Sequence, residues 1–296
     1  MKFARIEELE KFIRQNELFV GFKSMSEIYK GGSSYNFKII TDKGTYLLKL
    51  LDHIGNYNRM RFMLEYLGEN RALNLDEFDG YKLVAMPYYN AVKLRYNRLN
   101  SAVLKNLSDK YHQVFGAHLA SDNVRPQIMM DNLQKEINEK ISVSKNIGER
   151  LCMILFWNRI KNNLVKFPQT DNVIHGDFSQ NNILISADNK IHLIDFDAIR
   201  YGYEIEDFAH NIMQICRFSS LFGSMKKFKK IYFMINEING NYSASMWLYG
   251  IQIFYLLSLL RWLDLTSNKK KGLYKSLCRI AGLCNYFRIE KFLKTK

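Results

Sequence analysis

The sequence predicts an α+β chain in two lobes, a small β-rich N-lobe over residues 1–89 and a larger helical C-lobe over residues 90–296. Strand and turn signals fill Ser26 to Asp52 and return from Gly80 to Pro87. Helical periodicity runs from Ser101 to Phe167 and resumes after Asp207. Between those helical stretches, Asp171 to Ile199 breaks into short apolar runs separated by polar turns. Strands followed by helices are the pattern of an α+β architecture, and the change of character near Tyr88–Val92 marks the boundary.

Each element has a local reason. Ile6, Leu9, Phe12 and Ile13 fall on one face of a helix within residues 1–18. SEIYKGGSSYNFKIITDKGTYLLKLLD reads as strand, glycine turn, strand, the turn Thr41-Asp42-Lys43-Gly44, and strand. Asn56 to Asn70 places Met60, Met63, Leu64 and Leu67 at helical spacing. GYKLVAMPYYN gives a further strand that stops at Pro87. Met246 to Leu260 is strongly apolar, but it carries Gln252 and ends at Arg261. A bilayer span needs about 20 apolar residues, so this run reads as a buried core helix.

Composition narrows the class. With 296 residues, 47% of them hydrophobic, the chain can bury a large core. The amphipathic, charged start MKFARIEELEKFIRQN lacks the apolar run of a secretory signal. Cys152, Cys216, Cys278 and Cys284 show no metal-like or paired spacing, so reduced thiols and a cytoplasmic location are expected. The net charge is +14, and residues 208–296 carry fifteen Lys/Arg against Glu237, Asp264 and Glu290. Such a segment favours anionic partners, and peripheral contact with an anionic membrane is one expectation. A lysine-rich solvated surface would have the same composition, and no nucleic-acid partner is expected.

The chemistry concentrates in VIHGDFSQNNILISADNKIHLIDFDAI. Asp177 follows the apolar pair Val173-Ile174, and Asn182 comes five residues later. Ile183-Leu184-Ile185 reads as a strand, Ala187 to Lys190 as a turn, and Ile191 to Ile194 as the returning strand that delivers Asp195. A hairpin of that length brings Asp177, Asn182 and Asp195 to one end of a small sheet. Three converging oxygen-bearing side chains suit magnesium, which takes carboxylate and carbonyl oxygens together with water. Taken singly, Asp and Asn are also ordinary turn residues. His175 reads as a loop-ordering hydrogen bonder and His210 as a packing histidine.

At these residues the chain resembles the aminoglycoside phosphotransferase and choline kinase superfamily, which has a protein-kinase-like fold. His175-Gly176-Asp177, with Asn182 five positions on, is similar to its catalytic loop, and Ile194-Asp195-Phe196-Asp197 to its metal-binding triplet. The resemblance implies Asp177 as the catalytic base and Asn182 and Asp195 as Mg2+ ligands. Asp207 matches a further family position that supports the loop. The chain departs from the pattern at Ser179-Gln180-Asn181, where His-Pro-Gly is frequent, and at Asp197, where kinases often have glycine.

The N-lobe adds the nucleotide side. Gly31, Gly32, Ser33 and Ser34 sit between two predicted strands, where successive N–H groups can cradle phosphate. Lys49 stands inside the apolar strand Tyr46 to Leu50. It is expected at the nucleotide phosphates, with an edge-strand lysine facing solvent as the alternative. Glu65 is the candidate partner for Lys49, with Glu69 one turn further along; Met86 and Tyr88 would flank the adenine.

The resemblance therefore implies an ATP- and Mg2+-dependent phosphotransferase acting on a hydroxyl of a small molecule, with GTP left open as the donor. The basic C-terminal segment leans toward a sugar, amino acid or envelope-precursor acceptor and away from the aminoglycoside or choline-type alternative. A pseudokinase or nucleotide-binding scaffold is the non-catalytic alternative. A protein kinase fits poorly, because Asp207 follows Asp195 too closely for a long activation segment.

Overall fold

The computed structural model describes residues 3–28, 34–51, 73–95, 100–115, 147–162, 173–202 and 204–218, and parts of 135–142, 225–232, 250–257 and 284–295. The chain divides into two compact units, Met1–Val92 with Asp195–Ile199, and Lys93–Ile194 with Arg200–Lys296.

The first unit opens with helix α1, Ile6–Gln15, where Leu9 and Ile13 are buried. Five strands follow: β1 Phe22–Glu27, β2 Ser34–Thr41, β3 Gly44–Leu51, β4 Leu73–Phe78 and β5 Tyr81–Pro87. They pair antiparallel in the order β1-β2-β3-β5-β4. The β2–β3 turn is closed by Thr41, whose Oγ1 accepts from the amides of Lys43 and Gly44. Strand β4 has no counterpart among the strands read from the sequence. LNLDEF interleaves acids and an amide with its apolar residues, and its partner across the sheet supplies the pairing.

Side chains alternate between the faces of a strand, and directly paired residues share a face. Phe37, Ile39, Leu48, Leu50, Leu83 and Ala85 make one face and form a core with Leu9, Ile13 and Phe19. Ser34, Asn36, Lys38, Leu47, Lys49, Leu51, Val84 and Met86 fall on the opposite face by register.

The short strand β6, Ala91–Lys93, carries the chain from the first unit into the second. Helices α2, Ser101–Phe115, and α3, Ile147–Ile160, follow. Asn100 caps α2, its side-chain oxygen accepting the Val103 amide at 2.9 Å. Strand β7, Val173–Ile174, pairs with β10, Arg200–Tyr201. Strand β8, Ile183–Ser186, pairs with β9, Ile191–Leu193, through the hairpin that the sequence predicts. Helix α4, Glu204–Phe218, follows β10. Tyr111 of α2 and Phe208 of α4 pack on Phe178, with ring centroids 5.0 and 5.9 Å away. That aromatic cluster seats the loop between β7 and β8 against two helices. Among the described residues, no helix is long and apolar enough to cross a membrane.

Candidate active site

In the first unit, Lys49 lies on β3, the middle strand, and is 5% exposed. The edge-strand alternative is thereby excluded. The lysine shares its sheet face with the apolar patch of Leu47, Leu51, Val84 and Met86. A buried ammonium requires a counter-charge, and Lys49 Nζ meets Asp195 Oδ1 at 2.7 Å. Asp195 adopts the left-handed conformation (φ 66°, ψ 60°), which Asp tolerates better than most residues. Tyr88 extends the β3–β5 pairing, its amide donating to the Thr45 carbonyl at 3.0 Å. Its ring lies 4.8 Å from the Lys38 ammonium. Ser34, Lys49, Met86 and Tyr88 thus follow one face of one sheet. Gly31, Gly32, Ser33 and Glu65 lie outside the described residues, as does the segment Asn56 to Asn70.

In the second unit, the loop after β7 carries Asp177, and every residue from His175 to Phe178 is anchored. Asp207, on the first turns of α4 and 1% exposed, accepts three hydrogen bonds. They come from the amides of His175 (2.7 Å) and Gly176 (2.8 Å) and from the Tyr111 hydroxyl (2.9 Å). A carboxylate, which only accepts, matches three donors. Gly176 takes φ 77°, which glycine adopts without strain. His175 faces the Ile194 carbonyl with Nε2 at 2.9 Å, tying the loop to the end of β9, as a loop-ordering histidine should. Asn211 Nδ2 donates to the Phe178 carbonyl at 3.0 Å.

Asp177 itself is held on both carboxylate oxygens. Asn182 Nδ2 donates to Oδ2 at 3.0 Å and to the Asp177 carbonyl at 2.9 Å. His210 Nε2 meets Oδ1 at 3.0 Å. Burial pushes the Asp177 carboxyl up, but the His210 hydrogen bond and charge, the charge of His175 and the Asn182 amide outweigh it. The group is held below its usual range. Each carboxylate oxygen retains lone-pair capacity for one more donor.

The reading of His210 as a packing histidine is incomplete: its Nε2 also meets the Asp177 carboxylate of the loop. The sequence held a signal for this contact. Asp207, His210 and Asn211 stand at i, i+3 and i+4 of α4, so a helix that presents Asp207 to the loop presents the other two as well.

Asn182 and Asp195 each present an oxygen donor. Asn182 spends its side-chain NH2 group on Asp177, which leaves its side-chain oxygen Oδ1 as the donor for a cation, while its backbone carbonyl is engaged in the sheet. The Ile194 amide donates to the Asn182 carbonyl at 3.0 Å, continuing the β8–β9 ladder to the residue before Asp195. Asp195 pairs with Lys49 through Oδ1, and its second oxygen can face a cation. Among the described residues no group of three or more His, Cys, Asp or Glu could hold a metal. Taken separately, the Asn182 amide oxygen in the second unit and the Asp195 carboxylate in the first are oxygen donors of the kind magnesium takes, and neither is the sulfur or imidazole donor that zinc favours.

This architecture is that of the kinase-like phosphotransferases. Aminoglycoside 2′-phosphotransferase-IIIa, solved with GDP, superposes with a TM-score of 0.72 at 13% identity, covering 96% of this chain and 100% of that one. Spectinomycin phosphotransferase, solved with ADP and spectinomycin, gives 0.59 at 16% identity over 93% of each chain. Plasmodium vivax ethanolamine kinase gives 0.58 at 16% identity, covering 91% of this chain and 84% of its own. No curated protein matches the chain by sequence. The model of the phosphotransferase enzyme family matches residues 24–220. The chain belongs to that family and is a phosphotransferase.

Proposed function

We propose that the chain transfers the γ-phosphoryl group of ATP, held with Mg2+, to a hydroxyl group of a small molecule. The observation that carries this reading is the Asp177 carboxylate, clamped on both oxygens and held ionised while keeping capacity for one further donor. A substrate hydroxyl is that donor. Asp177 orients the attacking oxygen and takes its proton as the new P–O bond forms and the bond from the γ-phosphorus to the β–γ bridging oxygen breaks, ADP leaving with that oxygen. With both of its oxygens held by neighbouring side chains, the carboxylate is fixed for alignment of the nucleophile, which phosphoryl transfer rewards.

Lys49, on the face with Met86 and Tyr88, is the group proposed to hold the nucleotide phosphates. Asn182 and Asp195 are the residues proposed to hold Mg2+, which would supply charge neutralisation at the phosphates. The glycine-serine segment from Gly31 to Ser34 is proposed to cover the phosphates.

The basic segment 208–296 supports a neutral or anionic acceptor such as a sugar, an amino acid or an envelope-precursor headgroup. Cationic acceptors form a second arm, because spectinomycin and ethanolamine stand in the names of structures with this fold. The test is ADP release from Mg-ATP across a panel containing both classes. One acceptor should raise the rate well above the acceptor-free rate, and Asp177→Ala should abolish that increment while ADP binding persists. An Asp177→Ala protein that turns over at the wild-type rate would overturn the reading. Background ADP release with every acceptor would favour a nucleotide-binding scaffold.

A further inference from the structure

We infer that His210 is a positioning residue for the phosphotransfer step, fixing the plane of the Asp177 carboxylate through Oδ1 while Asn182 fixes Oδ2. This rests on the proposed role of Asp177. A carboxylate held at one oxygen can still turn about its Cβ–Cγ bond, and that torsion is broad and soft. Donors on both oxygens remove the freedom. Asn182 belongs to the turn at the start of β8 and His210 to α4, so the two donors reach Asp177 from separate elements.

Helix α4 is well placed to set this geometry. Asp207 holds the amides of the two residues before Asp177, and Asn211 holds the carbonyl of the residue after it. His210 lies between those anchors on the same helix face and touches the reacting side chain itself. Core packing does not account for the contact. The His210 side chain is 18% exposed and the Asp177 side chain 45% exposed, so one partner of the pair stays accessible to solvent. Pairs with one partner so accessible add little to global stability. Replacing His210 should therefore disturb turnover far more than folding, the reverse of what a packing histidine would do.

The experiment compares His210→Ala and His210→Gln with wild type, using Mg-ATP and the acceptor that is active in the panel. Glutamine keeps an N–H donor at about the reach of Nε2; alanine keeps none. His210→Ala should lower kcat by about 10- to 100-fold, the range set by misalignment of a reacting group. Its KM for ATP should stay within about threefold and its melting temperature within about 2 °C of wild type. His210→Gln should recover most of the lost kcat. Imidazole 15N NMR reads the contact independently: the His210 signal, identified by its loss in His210→Gln, should move in Asp177→Asn.

A wild-type kcat in His210→Ala, or a His210→Gln protein as slow as His210→Ala, would overturn the assignment. So would a His210 signal indifferent to Asp177→Asn in an active enzyme. Wild-type ADP release no faster than Asp177→Ala with any acceptor would instead overturn the phosphotransfer reading, and this role with it.

Discussion

Asp207 gives the sharpest energetic prediction, because its side chain is 1% exposed and accepts from three donors. In Asp207→Asn, the amide oxygen can replace Oδ2 and keep the His175 amide and the Tyr111 hydroxyl. Its NH2 group then faces the Gly176 amide, donor against donor. One charge-assisted bond is lost and one donor is left without an acceptor, at a cost of about 2 kcal/mol. Asp207→Ala strips the acceptor from all three donors, two of them backbone amides of the loop that carries Asp177. The losses are not additive, and about 4 kcal/mol is expected. For a chain of this size that corresponds to a fall in melting temperature of about 8–15 °C, against about 4–8 °C for asparagine.

Tyr111→Phe is the control. It removes one neutral donor and keeps the ring against Phe178 and Phe208, so about 1 kcal/mol is expected. Urea unfolding of the four proteins should order them wild type, Tyr111→Phe, Asp207→Asn, Asp207→Ala. Asp207→Asn should also lose activity beyond its loss of stability, because a shifted Gly176 moves Asp177. An Asp207→Ala protein as stable as Tyr111→Phe would refute the reasoning, since packing alone would then account for the site.

Lys49 and Asp195 should respond asymmetrically. Lys49→Met places an apolar side chain of similar shape on an apolar sheet face and leaves a half-exposed carboxylate, so stability should change by about 1 kcal/mol or less. ADP affinity measured by calorimetry should fall about tenfold, and an unchanged affinity would place Lys49 outside the nucleotide site. Asp195→Ala takes the carboxylate from a buried ammonium and should cost about 2–3 kcal/mol in urea unfolding; a protein of wild-type stability would contradict the pairing. In the second unit, a Cβ on Gly250 would run into the Ile205 side chain, reaching 3.1 Å from its Cβ and closer still to its γ carbons. Gly250→Ala should therefore destabilise by about 1–3 kcal/mol in thermal unfolding, and a neutral result would mean that α4 can shift freely there.

Much of the site was legible in the sequence because it is local. Five residues separate Asp177 from Asn182, and a short loop of that span brings the amide to the carboxylate. The β8–β9 hairpin announced itself through apolar triplets around Ala187 to Lys190, and it returns the chain to Asn182 through the Ile194 amide. Lys49 stood out because an ammonium in an apolar strand is costly without a purpose.

What the sequence could not fix are the pairings between distant segments. The Lys49–Asp195 pair spans 146 positions, and no periodicity links those residues. Strand β4 owes its state to pairing with β5, because its alternation of apolar and polar residues is too weak to specify a strand alone. The role of His210 was hidden for the same reason. An imidazole two residues beyond a phenylalanine on an amphipathic helix is compatible with core packing, and only the course of the 175–178 loop across α4 decides otherwise. Spacing along the chain determined which polar groups gather in the 175–195 segment. The folding of separate segments onto one another decided which neighbours hold each group in place, since burial and hydrogen bonding depend on what surrounds a side chain in space.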